Sequence, residues 1–374
     1  MRKIIELYVH IPFCVKKCDY CDFLSGPAGS ELQKAYVQAL LKEIRSLSHP
    51  EGYTVTSLFF GGGTPSLVDA GLIEEILFHL KKKFVFSPDA EITIEANPGT
   101  LTKEKLAVYR RAGINRLSLG LQSADDRELG MLGRIHTYEE FLDSYRLARD
   151  AGFSNINVDL MSAIPGQTYD GWIGNLRTVA ELGPEHISAY SLIVEEGTPF
   201  AQRELELPDE DTEYQMYEDT AAVLSEYGYH QYEISNYARN GFDCRHNIGY
   251  WNRTEYLGLG LGASSLLNET RFSNTSDMEE YLENSGNPEQ IRRGLKHLSV
   301  REQMEEFVFL GLRMTKGIGE ADFAERFGCP LKKIYGTILE KYEKTGFLEY
   351  KSGFWRFTRN GIHVSNVILA EFLE

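Results

Sequence analysis

Short apolar runs alternate with amphipathic stretches along the first half of the chain, and this alternation restricts its fold more than any other feature. Strands are predicted at residues 7–11, 55–60, 91–96, 116–121, 155–160 and 187–193. Helices are predicted between them, at residues 31–47, 72–84, 103–112, 138–151 and 171–182. Two of these helices begin with candidate capping boxes, Ser30-x-x-Gln33 and Thr137-x-x-Glu140. Strands that alternate with helices predict a parallel sheet.

The number of strand–helix units decides between parallel architectures. Six units fall within about 190 residues, and because crossovers between parallel strands are almost always right-handed, the sheet should curve toward a barrel. Eight units would close a full TIM-type barrel of about 250 residues. We therefore expect an α/β fold with an open, three-quarter TIM-type barrel. A doubly wound sheet is the weaker alternative, because no G-x-G-x-x-G follows the first strand.

The pattern loosens after about residue 200. Residues 205–213 look acidic and turn-like, and residues 273–289 look like a polar linker or exposed loop. Further helices are predicted at residues 301–313, 319–327 and 331–345, followed by a hairpin that turns at Ser352-Gly353 and a final helix from about Asn360. These elements predict a mainly helical, winged-helix-like C-terminal domain. The expected division is a barrel at 1–245, a connecting segment at 246–297 and the C-terminal domain at 298–374.

The charge and apolar content restrict the partners. A formal net charge of -16 and a pI of about 5.1 argue against nonspecific binding to nucleic acid or to an anionic membrane. No apolar run approaches the roughly 18 to 20 residues that a membrane-spanning helix needs, and the first residues lack the pattern of a secretory signal. Five cysteines, an odd number, fit a cytoplasmic protein without disulfides.

Polar residues and glycines gather where the predicted strands end. The set comprises Cys14, Gly62, Gly63, Thr64, Glu95, Gln122 and Asp159. Because sites in parallel α/β folds lie at the carboxyl ends of the strands, these residues predict one functional site.

Three of the five cysteines lie in the stretch "HIPFCVKKCDYCDF", as Cys14, Cys18 and Cys21. A disulfide framework is the weakest explanation for an odd number of thiols, and a lone nucleophile needs no cysteine neighbours. A zinc site usually requires four ligands, for which only His10 is nearby, since Cys244 and Cys329 are isolated. Three soft thiolates favour an iron–sulfur cluster, although zinc stays open on spacing alone.

The spacing C-x-x-x-C-x-x-C after the first strand, with "GGGTP" after the second, resembles the radical SAM enzymes. The resemblance implies that Cys14, Cys18 and Cys21 bind a 4Fe–4S cluster whose open iron is chelated by S-adenosylmethionine (SAM). It also implies a set of SAM contacts, which in this sequence are Tyr8, Tyr20, Gly62, Gly63, Thr64, Glu95, Gln122, Arg134 and Asp159.

The longer string "YVHIPFCVKKCDYC" is similar to one branch of that superfamily, which holds the oxygen-independent coproporphyrinogen III oxidases and the HemW-type heme chaperones. The oxidases usually carry a further cysteine where this chain has Phe23, and they have an N-terminal extension, whereas here seven residues precede Tyr8. Both departures disfavour oxidase activity.

The stretch "CRHNIGYW" resembles the H-N-x-x-Y-W motif of the heme chaperones. The resemblance makes His246 a candidate heme ligand, Cys244 a second candidate, and Tyr250 and Trp251 candidates for packing on the macrocycle. The alternative is that His246 and Cys244 are ordinary buried residues. The nearby "LGLGLGAS" lacks a phosphate-binding lysine and predicts a tight turn.

Three functional hypotheses follow. The first is a heme chaperone that holds a SAM-liganded cluster, binds heme and passes it to an acceptor protein, of the respiratory chain in one version. Its cluster either stabilises a homodimer or gates heme transfer. The second is a radical SAM oxidase that decarboxylates coproporphyrinogen III. The third is a zinc-stabilised barrel without redox chemistry.

Overall fold

The computed structural model describes residues 2–48 and 50–373. Its centre is a curved sheet of six parallel strands, which pair in chain order. The strands are β1 (Lys3–Ile11), β2 (Tyr53–Gly62), β3 (Val85–Ala96), β4 (Arg116–Gln122), β5 (Ile156–Ser162) and β6 (His186–Ser191). This architecture confirms the predicted α/β partial barrel, and β1, β2 and β3 are longer than expected.

In the described residues, six α-helices occupy the connections between these strands. They are α1 (Ser30–Ser46), α2 (Ala70–Lys83), α3 (Lys103–Ala112), α4 (Asp126–Met131), α5 (Tyr138–Asp150) and α6 (Tyr169–Leu182). All seven residues of β4 are buried, as expected for a parallel strand that is covered on both faces. The buried faces of strands and helices form one large core, so the strand ends are held on a rigid frame.

The two predicted capping boxes have different outcomes. Thr137 and Glu140 form a capping box at the start of α5, as predicted. The box at Ser30 was wrong, because Ser30 is already helical and Gly29 occupies the N-cap position without a side-chain bond. Gln33 instead donates from Nε2 to the carbonyl oxygen of Ala28, at 3.0 Å.

The chain between β6 and the C-terminal domain is more regular than predicted, and helix α7 begins within the stretch 205–213 that was expected to be turn-like. It contains α7 (Glu210–Glu226), β7 (His230–Gln231), β8 (Asn236–Ala238), α8 (Arg245–Trp251), β9 (Tyr256–Leu259), β10 (Ser264–Leu267), β11 (Thr270–Asn274), α9 (Met278–Asn284), α10 (Pro288–Ile291) and β12 (Arg292–His297). Strand β9 pairs in parallel with β1, β8 pairs antiparallel with β6, and the sheet reaches twelve strands. The prediction of a linker or loop at 273–289 was wrong, because Asp277 caps α9 and Tyr281 anchors it in the core.

The C-terminal residues pack around a core of their own. Their elements are α11 (Val300–Gly311), β13 (Ile318–Gly319), α12 (Glu320–Phe327), α13 (Leu331–Lys344), β14 (Leu348–Lys351), β15 (Phe354–Phe357), α14 (Arg359–His363) and α15 (Ser365–Ala370). The predicted hairpin is present, with Ser352 at a φ of 52° in its turn. The domain boundaries at 245 and 297 stay a prediction.

An ion pair with a buried arginine joins the C-terminal domain to the connecting segment. Arg253, whose side chain is buried, lies 2.6 Å from Glu269 and 2.7 Å from Glu306 of α11. Among residues 2–48 and 50–373, no helix combines the length and the apolar character that crossing a membrane requires.

Candidate cofactor site

The loop after β1 places the three predicted cluster cysteines at one cleft. The backbone N–H of Cys14 donates to the carbonyl oxygen of Gly26 at 3.0 Å, so the loop returns on itself. Its middle is fixed by Asp19, which accepts from Arg203 Nη1 at 2.7 Å. The thiols of Cys14, Cys18 and Cys21 are free and partly exposed.

The cleft lies at the carboxyl ends of the barrel strands and has a volume of about 280 Å³. Its lining includes ten of the twelve residues predicted for the cluster and SAM: Cys14, Cys18, Cys21, Tyr20, Gly62, Gly63, Glu95, Gln122, Arg134 and Asp159. These residues come from five different strands or their following loops. The sequence-based prediction that polar strand ends form one site is consistent with this geometry.

The glycine turn after β2 leaves no room for side chains. A Cβ on Gly62 would lie 2.6 Å from the His10 ring, and one on Gly63 would lie 2.6 Å from the carbonyl oxygen of Phe13. Gly62 also has a φ of 115°, which L side chains rarely adopt. Only glycine therefore lets this turn pack beside the cysteine loop, where the N–H of Gly63 donates to Ile11 at 2.9 Å.

Two carboxyl groups line the cleft from β3 and β5, the two strands that flank β4. Glu95 accepts from the backbone N–H of Gly62 at 3.1 Å, and Asp159 accepts from Asn157 Nδ2 at 2.7 Å. Burial, together with the negative charge of Asp159, raises the pKa of Glu95 to about 8. Burial also raises the pKa of Asp159. A bound cation would favour the ionised form of both groups, so the pair is suited to an ammonium or hydroxyl ligand.

Arg134 connects the cysteine loop to the strand ends. Its Nη1 donates to Cys18 Sγ at 3.5 Å, and its Nη2 donates to Asn97 Oδ1 at 2.8 Å. Asn97 in turn donates to Thr64 Oγ1 at 2.8 Å, and the Thr64 hydroxyl donates to Cys14 Sγ at 3.6 Å. Thr64 is buried behind the cleft, so its contact is with a cysteine sulfur.

Some residues of the site were not predicted from sequence. Asn97, Ser118 and Tyr190 also line the cleft, and the Tyr190 hydroxyl donates to Gln122 Oε1 at 2.9 Å. Asn97 stands two positions after Glu95 in "IEANP", directly beyond the end of β3. Its place at a strand end was the available signal, whereas nothing in the sequence distinguishes Tyr190 from other strand tyrosines.

Tyr20 and Tyr8 have different surroundings. Tyr20 lines the cleft and packs beside Phe200, with ring centroids 6.5 Å apart. Tyr8 lies deeper, in the barrel, where its hydroxyl is 3.0 Å from His10 Nδ1, and it lines a different cleft. The expectation that Tyr8 flanks SAM therefore has no support from its position.

The residues fit an iron–sulfur cluster by their chemistry. Three free thiols line one cleft, and Arg134 and Thr64 direct hydrogen-bond donors at two of the sulfurs, as is common around metal-bound sulfur. Within the described residues the thiols line the cleft separately, without a compact group of three metal ligands. Each sulfur can bind a different iron of a cluster.

The heme-ligand candidates are buried inside the barrel. His246 is 2% exposed and both ring nitrogens are engaged, Nδ1 with Ser57 Oγ at 2.8 Å and Nε2 with Tyr250 Oη at 3.0 Å. Burial lowers the pKa of His246 to about 3, so the ring is neutral. Cys244 is fully buried, and burial raises its pKa to about 12. Neither side chain is available to heme iron in this conformation, contrary to the sequence-based expectation.

Tyr250 and Trp251 lie on the wall of a second cleft, of about 540 Å³, which we call the aromatic cleft. Its lining residues are Tyr8, His10, Leu24, Tyr250, Trp251, Tyr256, Gly262, Ala263, Ser264, Arg271 and Leu310. It lies between α11 and the strands β1, β9, β10 and β11, and Leu24 connects it to the cysteine loop. The predicted tight turn of "LGLGLGAS" forms its floor with Gly262 and Ala263.

Comparison with known proteins agrees with this fold and site. Residues 8–179 match the Radical SAM superfamily, and residues 298–364 match the HemN C-terminal domain. The structure is similar to that of coproporphyrinogen III oxidase (HemN) from Escherichia coli, with a TM-score of 0.85, 25% identity, and coverage of 99% of this chain and 90% of that one. The partial barrel and its cysteine loop thus define a radical SAM protein.

Relatives that match over nearly the full length of the chain identify the family within the radical SAM proteins. The chain is 34% identical to heme chaperone HemW of Bacillus subtilis over 98% of both sequences, and 36% identical to that of Haemophilus influenzae over 99% of this chain and 98% of the relative. The Escherichia coli heme chaperone HemW is 34% identical, over 99% of this chain and 98% of its own length. The chain belongs to the HemW family.

Proposed function

We propose that the chain is a heme chaperone, which binds heme and passes it to an acceptor protein. The observation that carries this proposal is the 34% identity to heme chaperone HemW of Bacillus subtilis over 98% of both chains. Phe23 supports it, because it stands where the oxidases usually carry a further cysteine and is 64% exposed at the cysteine loop.

The proposal includes a 4Fe–4S cluster held by Cys14, Cys18 and Cys21, with SAM beside it. When bound, the cluster supplies an open iron site for the amino and carboxylate groups of SAM. The support from this chain is the shape of the cleft: the glycine turn brings bare backbone to it, Glu95 offers an acceptor for an ammonium, and Arg134 offers donors next to Cys18.

The test is an anaerobic hemin titration of the chain after reconstitution of its cluster, followed by the Soret band. We expect a saturable Soret shift at a stoichiometric ratio, and heme transfer when the loaded protein is mixed with apomyoglobin as a heme trap. Absence of specific hemin binding would contradict the proposal.

The second candidate is oxidation of coproporphyrinogen III. The structural similarity to coproporphyrinogen III oxidase, with a TM-score of 0.85, favours it. The assay is SAM-dependent decarboxylation of coproporphyrinogen III by the reduced, reconstituted protein. We expect no product from this chain, and turnover would establish the oxidase instead.

A partner surface beside the cleft is a further part of the proposal. Val15, Phe23 and Ile135 are large apolar residues that are 54%, 64% and 60% exposed, and the first two belong to the cysteine loop. We propose that a second copy of the chain covers them when the cluster orders the loop. Sedimentation with and without the cluster tests this homodimer.

The proposal also includes a cytoplasmic location and a heme acceptor in the respiratory chain. Co-purification of the acceptor from membranes tests this part.

A further inference from the structure

The aromatic cleft has walls suited to a flat, apolar ligand. Tyr250 and Tyr256 meet edge to face, with ring centroids 4.7 Å apart, and Trp251 and Leu310 add apolar area. Its volume of about 540 Å³ is within the range of small-molecule sites. The cleft contains two residues of the H-N-x-x-Y-W segment, whereas His246 of that segment lies behind the wall.

The polar side chains that line this cleft differ in what they offer to a metal. The ring of His10 is engaged at both nitrogens, by Tyr8 Oη at 3.0 Å and the carbonyl oxygen of Leu24 at 2.8 Å. The Tyr250 hydroxyl is 3.0 Å from His246 Nε2. These groups are therefore occupied by partners within the chain.

Tyr256 is the exception. Its oxygen accepts a hydrogen bond from Arg271 Nη1 at 3.0 Å. Among the described residues, Arg271 is the hydrogen-bond partner of this oxygen. A guanidinium only donates hydrogen bonds, so it leaves a lone pair of the phenol oxygen free for a metal, and its positive charge would offset the negative charge of an iron-bound oxygen. Arg271 is itself held by Glu306 of α11, with Nε 2.5 Å from Oε1. Arg271 and Glu306 therefore fix the position of the Tyr256 oxygen, on a residue that lines the cleft.

We propose that Tyr256 is the protein ligand of ferric heme iron in the aromatic cleft, as a phenolate held by Arg271. The inference rests on the proposed function and names the ligand for its cargo. On binding, the phenol O–H bond breaks and its proton goes to solvent, an Fe–O bond forms, and the iron remains ferric. Tyrosine is an established type of heme ligand.

His246 is a positioning residue in this arrangement. Its Nε2 holds the hydroxyl of Tyr250, and the Tyr250 ring packs on Tyr256. A His246 variant should therefore lower heme affinity by disturbing the wall, without changing the atom that binds iron.

The experiment compares hemin binding by the wild-type chain with binding by Tyr256→Phe and His246→Ala, and uses Tyr350→Phe, at an exposed tyrosine of β14, as the matched control. Visible absorption and resonance Raman spectra report the axial ligand. We expect tyrosinate–iron modes in the wild type, in His246→Ala and in the control. Tyr256→Phe should lose these modes and bind hemin on the order of tenfold more weakly or worse.

Iron-free protoporphyrin IX separates ligation from packing. It fills the same cleft but needs no axial ligand, so Tyr256→Phe should bind it as the wild type does, which also shows that the variant is folded. An unchanged hemin spectrum in Tyr256→Phe, or an equal loss of hemin and protoporphyrin IX binding, would overturn the inference and leave the proposed function intact. If the wild-type chain binds no hemin, the proposed function fails and this inference fails with it.

Discussion

The Oγ of Ser57 lies 2.8 Å from Nδ1 of His246, and this hydrogen bond joins β2 to a helix 189 residues further along the chain. The imidazole also stacks on Phe59, with ring centroids 5.1 Å apart. Helix α8 is thereby packed against β2. The H-N-x-x-Y-W segment consequently has a structural role in addition to any role in heme binding.

Replacement of His246 by alanine should destabilise the protein. The variant removes a buried ring and leaves the hydroxyls of Ser57 and Tyr250 without their partner, which should cost about 2 to 4 kcal/mol of unfolding free energy. Urea denaturation measures this change. His297→Ala, at an exposed position, is the control and should alter stability by less than about 0.5 kcal/mol. Equal stability of the two variants would show that the His246 bonds contribute nothing.

Gly249 makes a second contact between α8 and the barrel, beside the one made by His246. A Cβ at this position would lie 1.9 Å from Oε1 of Glu6 in β1. Because both residues are buried, Gly249→Ala should separate helix and strand and cost about 1 to 3 kcal/mol. Gly174→Ala in α6 is the matched control, since a Cβ there has nothing within 4 Å, and it should stabilise by about 0.5 to 1 kcal/mol. Thermal denaturation of both variants gives the comparison.

The central fold could be predicted from sequence because its strands are continuous apolar runs. The strand β4, for example, is buried at all seven positions. The strands that extend this sheet beyond the six parallel ones could not be predicted from sequence. Strand β12, for example, is partly or fully exposed along its whole length, so its residues have the pattern of a polar loop. Its pairing with β11 depends on where the chain returns to the sheet, which local propensity does not encode.

The candidate site, too, could be predicted from sequence only in part. The spacing of Cys14, Cys18 and Cys21 is local, so it could be read directly from the sequence. The burial of His246 could not be predicted, because its partner Ser57 lies on a strand that is distant in sequence. A histidine beside aromatic residues also has the same sequence pattern in a protein core and in a ligand site. Asn97 was missed because its two contacts, Arg134 and Thr64, come together only in the folded chain.

Glu95 should make stability depend on pH. Its pKa is raised from an ordinary 4.5 to about 8 by burial and by Asp159, so the folded chain holds a proton that the unfolded chain has lost between these values. A raised carboxyl pKa gives stability that is complete below about 4.5 and is lost as the pH rises through about 8. In the cluster-free protein, the wild type should therefore lose stability relative to Glu95→Gln over this range, by up to about 1.4 kcal/mol per pH unit.

Urea denaturation at several pH values checks this difference. Glutamine keeps an oxygen that can accept from the N–H of Gly62, so the variant removes the titrating group with little change in shape. Parallel pH profiles of the wild type and Glu95→Gln would show that Glu95 ionises freely in the folded protein.

Loss of one cluster ligand should abolish the iron–sulfur cluster and leave hemin binding in place. Cys18→Ser removes a thiolate from the cysteine cleft, and three cysteines are the fewest that the proposed cluster can use. After anaerobic reconstitution, the variant should lack the brown colour and most of the bound iron. Cys329→Ser, which lies before α13 in the C-terminal domain, should retain both.

Hemin binding should persist in Cys18→Ser. The aromatic cleft is lined by residues other than the three cysteines, and the two clefts have no lining residue in common. The same preparation should therefore show a normal Soret shift with little change in hemin affinity. If hemin binding disappears together with the iron, the cluster must order the aromatic cleft through the shared loop, for which Leu24, three residues after Cys21, is the direct connection. The ratio of hemin affinities with and without the cluster measures that coupling.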